Sequence, residues 1–262
     1  MERYAAPPPD ASRLFSADQF VETIQACARL GREIAWSSLE PLLIDHRVMT
    51  RNRIVTNNHS DAAHDAFDML RTRILQMTRQ NGWTSVAITS PTRGCGKSTV
   101  ALNLAFSLSH QRDCRTVLMD FDLKHPRLAA MTGMTDPQSM EAFLKREIDI
   151  PDILHRYGEN LAIAANCQPV RLSAELLQNG DTARVLADLR ERIKPDILLF
   201  DMTSMLTSDD VTAFLPNVDG VIIVAAAEQS TIEELDACER DLADRTNVLG
   251  VVLNRCRHGP GY

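Results

Sequence analysis

From residue 61 onward, short mostly apolar runs alternate with helix-length stretches of mixed character. The runs are Ser85–Thr89, Thr116–Met119, Leu161–Ala165, Ile197–Phe200, Val221–Ala226 and Leu249–Leu253. Each is strand-sized and apolar at odd and even positions alike, as expected when helices cover both faces of a sheet. Strands separated by helix-length segments predict an α/β fold of three layers, a mostly parallel sheet with helices on both faces. Ahead of the first run, Phe67, Leu70, Ile74 and Met77 recur at three and four residues. That spacing marks an amphipathic helix, and Asn81-Gly82 supplies its stop.

The first sixty residues have a different texture. Ala5-Ala6-Pro7-Pro8-Pro9 reads as extended chain. Phe20 to Ala35 has helical spacing, Leu42 to Asn58 has no clear period, and Arg51-Asn52-Arg53 is a small basic spot. We therefore expect an accessory N-terminal segment over 1–60, partly helical or disordered. A nucleotide-binding domain is expected over 61–257 and a flexible tail over 258–262.

The 262 residues carry a net charge of -7 and a hydrophobic fraction of 44%. Such an acidic globular chain is poorly suited to nonspecific nucleic-acid binding, and no nucleic acid is expected as partner. The six cysteines, Cys27, Cys95, Cys114, Cys167, Cys238 and Cys256, form no C-x-x-C pair. They imply reduced thiols and a cytoplasmic setting. No apolar run approaches the roughly 20 residues that span a bilayer, so recruitment to a membrane would need a partner.

The chemistry concentrates after the first strand, in Pro91-Thr92-Arg93-Gly94-Cys95-Gly96-Lys97-Ser98-Thr99, which leads into a helix-length stretch. Strand, glycine loop, Gly-Lys-Ser and helix form the context of a phosphate-binding P-loop. Gly94 and Gly96 let backbone N–H groups turn inward around phosphate oxygens, and the helix N-terminus adds partial positive charge. Lys97 would reach the outer phosphates of ATP, and the Ser98 hydroxyl would ligate Mg2+. Pro91 stands where the standard motif has its first glycine.

Two further strands end in carboxylates. Val117-Leu118-Met119-Asp120-Phe121-Asp122 places Asp120 and Asp122 on one side of a strand end, where their mutual repulsion calls for a cation. Ile197-Leu198-Leu199-Phe200-Asp201 has the apolar run and terminal aspartate of a Walker B strand. All three would gather at the carboxyl edge of the sheet, where open α/β sheets bind ligands. The seven histidines show no paired ligand spacing, so no zinc site is expected.

The Asp120-x-Asp122-x-Lys124 element after a hydrophobic strand resembles the Walker A-prime motif of bacterial tyrosine kinases. These belong to the deviant P-loop ATPases, together with the division-site and partitioning ATPases. The resemblance runs from about Asp61 to Asn254. It includes Gly94–Thr99, Leu118–Lys124, Ala174-Glu175-Leu176-Leu177, Phe200-Asp201 and Gly250–Asn254. The partitioning branch usually has a lysine where this chain has Thr92. The resemblance implies a cytoplasmic, Mg-ATP-dependent tyrosine autokinase that regulates exopolysaccharide synthesis or export. A membrane polysaccharide co-polymerase would recruit it through a cytoplasmic tail. By position, Asp120 would be the base for a tyrosine hydroxyl, Asp122 and Asp201 would organise Mg2+, and Asn254 would contact adenine. The alternative reading is a P-loop ATPase that acts as a nucleotide-dependent interaction switch for the polysaccharide machinery without tyrosine phosphorylation.

This chain departs from the family pattern in places. The family's Glu-x-x-Arg-x-x-Arg helix builds a ring-shaped oligomer, and here the matching positions are Asp65, Asp68 and Arg71. Lys124 replaces the usual arginine. Instead of a tyrosine cluster, the chain has only Tyr4, Tyr157 and Tyr262, which leaves Tyr262 as the candidate phosphoacceptor.

Overall fold

The computed structural model describes residues 17–55 and 62–256. The elements begin with α1 (Ala17–Ser37), β1 (Glu40–Pro41), α2 (His46–Arg51), α3 (Ala62–Asn81), β2 (Ser85–Ser90), α4 (Lys97–Ser109) and β3 (Thr116–Phe121). They continue with α5 (Leu128–Thr132), α6 (Met140–Leu144), α7 (Ile150–Ile153), β4 (His155–Tyr157), β5 (Leu161–Ala164), α8 (Ser173–Gln178) and α9 (Gly180–Ile193). The last are β6 (Ile197–Ser204), α10 (Asp210–Phe214), β7 (Gly220–Ala226), α11 (Ile232–Ala243) and β8 (Asn247–Asn254). The proline run, Tyr4 and the tail with Tyr262 lie outside the described residues.

One eight-stranded sheet runs in the order β1-β4-β5-β3-β6-β2-β7-β8. Every pairing is parallel except β4 with β5. The six apolar runs become β2, β3, β5, β6, β7 and β8. The sequence gives no sign of β1 or β4, because two or three residues are too short to show a period. They extend the sheet at one margin, where β4 reverses direction.

Alternation along each strand sorts side chains into two cores. Val117, Met119 and Phe121 of β3, with Leu198, Phe200 and Met202 of β6, pack on one face under α6, α9 and α10. There Phe121, Phe200 and Phe214 meet with ring centroids 4.9–5.0 Å apart. Leu118 of β3 with Ile197 and Leu199 of β6 point to the other face, against α4. This parity decides the chemistry, because Asp120 and Asp201 continue the α4-facing rows.

The N-terminal segment packs into the same two cores. Trp36 and Leu39 enter the first, and Leu42, Met49 and Ile54 the second. The polar residues of the buried helix α4 serve as clasps. Asn103 accepts from Val55 N at 2.7 Å and donates to Arg53 O at 3.0 Å. Ser107 donates to Asp68 at 2.8 Å, tying α3 to α4.

Candidate nucleotide site

Strand β2 ends at Ser90, and the loop 91–96 carries the chain into α4. Gly94 and Gly96 both sit in the left-handed region, at φ +87° and +88°. That is the conformation that aims successive N–H groups into one concavity, and glycine adopts it without steric cost. The outward carbonyls are fastened by side chains from the β7–β8 side of the sheet. Asn254, the last residue of β8, donates its Nδ2 to Cys95 O at 2.8 Å. Gln229, in the turn after β7, donates its Nε2 to Arg93 O at 2.9 Å. Sequence reasoning placed Asn254 at the site and missed Gln229, which lies in a turn with no motif around it.

A Cβ on Gly96 would overlap the Asn254 amide. Gly96→Ala is therefore expected to weaken nucleotide binding at least about tenfold, through backbone strain and loss of this contact. Calorimetric titration with ADP checks it. The double variant Gly96→Ala/Asn254→Ala relieves the overlap but not the φ strain, and should recover only part of the affinity.

The three aspartates converge as their strands require. Asp120 and Asp201 are register neighbours on β3 and β6, and both are fully buried. Asp122 follows the end of β3, and its Oδ2 lies 2.5 Å from Lys97 Nζ in a nearly buried ion pair. Asp120 Oδ2 accepts from the backbone N–H of Arg127 and Leu128 at 3.1 and 3.0 Å. Asp120 Oδ1 is buried without a hydrogen-bond partner, and neither oxygen of Asp201 makes a hydrogen bond of good geometry, although the Ser98 hydroxyl stands close enough to favour the Asp201 charge. Ser98 is 6% exposed in the first turn of α4, and Thr99 beside it is partly buried.

Three carboxylates face one ammonium, and the electrostatics follow from that imbalance. Burial raises Asp201 to about 6, with Asp122 adding to the rise while Lys97 and Ser98 oppose it. Burial, then Asp201, lifts Asp120 well above the usual carboxylate range, against the two backbone N–H donors. Burial pulls Lys97 down, but Asp201, Asp122 and Asp120 together hold it above its ordinary value. Lys97 is thus firmly charged, and the site has room for another positive charge.

The donor set fits Mg2+ arriving with phosphates. Orphaned carboxylate oxygens beside a serine hydroxyl are hard oxygen ligands, and Mg2+ takes one or two carboxylates and completes its shell from phosphate and water. Among the described residues no three His, Cys, Asp or Glu side chains form a ready-made metal cage.

Two departures from the family pattern find a place in the structure. Lys124 Nζ lies 3.3 Å from the buried Asp210 and donates to Ser208 at 2.9 Å. It joins the loop after β3 to the start of α10. Arg71 turns inward, its Nη1 2.6 Å from Asp68 and 3.0 Å from Ser107. Burial works against the Asp68 charge, but Ser107 and Arg71 hold its carboxyl below the usual range. Tyr157, the one described tyrosine, is half-buried on β4 with its ring edge-on to Phe106 at 5.1 Å. Among the described residues, no helix is long and apolar enough to cross a membrane.

Comparison with known proteins gives a consistent relationship. The ParA family, described as NUBPL iron-transfer P-loop NTPase, matches residues 83–257. EpsB of Ralstonia nicotianae, which carries a provisional tyrosine-protein kinase name, is 26% identical over 196 residues. That match covers 74% of this chain and 26% of EpsB, so the chain spans about a quarter of that relative's length. The tyrosine-protein kinase YwqD of Bacillus subtilis is 23% identical over 79% of this chain and 86% of its own. The kinase domain of the Escherichia coli tyrosine kinase ETK superposes with a TM-score of 0.69 at 21% identity, covering 80% of this chain and 83% of that one.

Proposed function

The chain belongs to the ParA family of P-loop NTPases, and from that premise we propose that it is a Mg-ATP-dependent protein tyrosine kinase serving polysaccharide synthesis or export. One observation carries the reading. Lys97 stands at the P-loop with Asp122 against it, and the unpartnered oxygens of Asp120 and Asp201 lie behind. This arrangement suits phosphoryl transfer, which needs positioning and charge neutralisation more than covalent chemistry. Bound Mg2+ would supply that neutralisation, held by Ser98 and Asp201 and by Asp122 once Lys97 turns to phosphate.

The protein's own groups do the rest. The N–H groups of Gly94 to Thr99 cradle the phosphates, and Lys97 stabilises charge on the transferred group. Asp120 is the candidate acceptor of the tyrosine proton, through the one oxygen that no backbone donor occupies. The Asn254 oxygen remains to accept from an adenine amino group while its nitrogen braces the loop. The acceptor tyrosine is Tyr262, and the activator is the cytoplasmic tail of a membrane polysaccharide co-polymerase. The kinase names of EpsB and YwqD support this branch of the family. Iron transfer, named in the family's description, would call for paired thiolates, and this sequence has no C-x-x-C.

A second reading has its own observation. Arg71, the retained arginine of the family's assembly helix, is engaged within its own subunit by Asp68 and Ser107. That favours an ATP-driven interaction switch that does not phosphorylate tyrosine or use the family's ring. Incubation with Mg-ATP and a co-polymerase tail, followed by phosphosite mapping, separates the two. The kinase reading expects phosphate on Tyr262, absent in Lys97→Met. Phosphate released to solution with no phosphotyrosine refutes it and supports the switch.

A further inference from the structure

The far end of the sheet holds a second constellation. Where β3, β5 and β6 begin, about 15–20 Å from the P-loop by strand length, the last turns of α1 lie over the strand starts. A cavity of about 470 Å³ opens there. Helix α1 contributes Arg32 and Trp36, the chain just before β3 contributes Arg115, and β4 contributes Arg156.

Four donors on these residues are buried without a hydrogen-bond partner: Arg32 Nε, Trp36 Nε1, Arg115 Nη1 and Arg156 Nε. Orphaned buried donors are rare in folded proteins because each forfeits its hydration. Four on residues that line one cavity are donors in need of an acceptor. The other arms of the arginines are already anchored. Arg32 Nη2 meets Asp196 and Arg115 Nη2 meets Glu33, both at 2.6 Å. Arg156 Nη1 donates to Gly158 O at 2.6 Å. Arg115 also lies over the Trp36 ring, 5.1 Å from its centroid. These contacts preorganise the guanidinium groups and leave N–H edges with nothing to donate to.

The chemistry of the ligand follows. All four orphans are donors, three of them on guanidinium groups, whose planar geometry matches carboxylate and phosphate oxygens. Arg112 lines the cavity as well, so four arginines stand against four carboxylates, Glu33, Asp113, Glu159 and Asp196. The charge balance therefore disfavours a polyanion such as nucleic acid and suits a small anion.

We propose that this cavity binds a small carboxylate- or phosphate-bearing molecule, whose occupancy fastens α1 to the base of the sheet. The site is separate from the nucleotide pocket and draws on the N-terminal segment.

The chain has two tryptophans, so Trp83→Phe leaves Trp36 as a local reporter. In that background, with Lys97→Met added to weaken anion binding at the P-loop, emission is followed during titration. The probes are inorganic phosphate and, separately, malonate, with ionic strength held constant by chloride. A saturable change is expected with at least one probe, weakened about tenfold or more by Arg156→Gln. Arg156→Lys, which keeps the charge but loses the guanidinium, is expected to weaken it likewise and guards against misfolding of the first variant. Response to phosphate alone assigns a phosphoryl ligand, and response to malonate alone a carboxylate. No saturation with either probe up to about 10 mM, or titrations unchanged by both Arg156 variants, overturns the proposal and leaves the four donors to water.

Discussion

Lys97→Met is expected to lower ATP turnover by about a thousand-fold, the scale on which preorganised charge contributes to phosphoryl transfer. The structure adds a second consequence that the motif alone does not foretell. Lys97 is the cationic half of a nearly buried pair with Asp122. Removing one member of such a pair strands the other and costs about 3–5 kcal/mol, less whatever protonation of the carboxylate recovers. The single variant should therefore also melt several degrees lower. Lys97→Met/Asp122→Asn should regain most of the melting temperature and none of the turnover. Turnover within tenfold of the parent would remove Lys97 from the chemistry. An unchanged melting temperature in the single variant would deny the pair its structural part.

Asp201→Asn is expected to move stability and activity in opposite directions. Folded Asp201 titrates near 6, raised first by burial, whereas an exposed aspartate titrates near 3.8. Between those values the folded state holds a proton that the unfolded state has released. The contribution of this group to stability therefore falls as pH rises through that window, and at neutral pH the ionised carboxylate is a net penalty. Asn removes it, a gain of about 2–3 kcal/mol on the scale of the shift, or about 5–10 °C for a chain of this size. Mg-dependent turnover should fall about a hundred-fold or more with the loss of this carboxylate. In the parent protein, Mg-nucleotide binding near pH 6 should release protons and tighten with rising pH, and both effects should weaken in Asp201→Asn, leaving the part that belongs to Asp120 and to the nucleotide's own phosphate. Thermal melts across pH 4–8 and calorimetry in two buffers of different ionisation heat measure the two halves. A variant less stable than the parent at neutral pH would refute the account.

Much of this site is legible in the sequence because its parts are local. A strand, a glycine loop and a helix adjoin in the chain, so Gly94 to Thr99 can be read as one unit. The apolar runs before Asp120 and Asp201 announce buried parallel strands, and parity along a strand says which face each carboxylate takes. What stays hidden is set by partners distant in sequence. Nothing near Gln229 tells that its amide holds Arg93 O, and nothing near Arg71 tells that it folds back onto Ser107. The short strands β1 and β4 escape for a related reason: their pairing is decided by neighbours across the sheet, not by their own pattern. The four donors around α1 belong to segments that read separately as a helix end, a strand start and a turn.

The strand order also dictates when the nucleotide pocket can exist. The P-loop strand β2 has no neighbour from its own stretch of chain. It lies between β6 and β7, with Ser85 beside Leu198 and Val86 beside Gly220. More than a hundred residues must therefore be synthesised after the phosphate loop before its strand has a partner on either side. Long-range closures of this kind are the slow steps of folding. The loop residues emerge from the ribosome early, but the pocket is assembled late, together with Asp201, and is completed when Asn254 arrives to brace Cys95. Nucleotide added during refolding should thus bind only after the sheet centre has closed, stabilising the finished domain without speeding the search that leads to it.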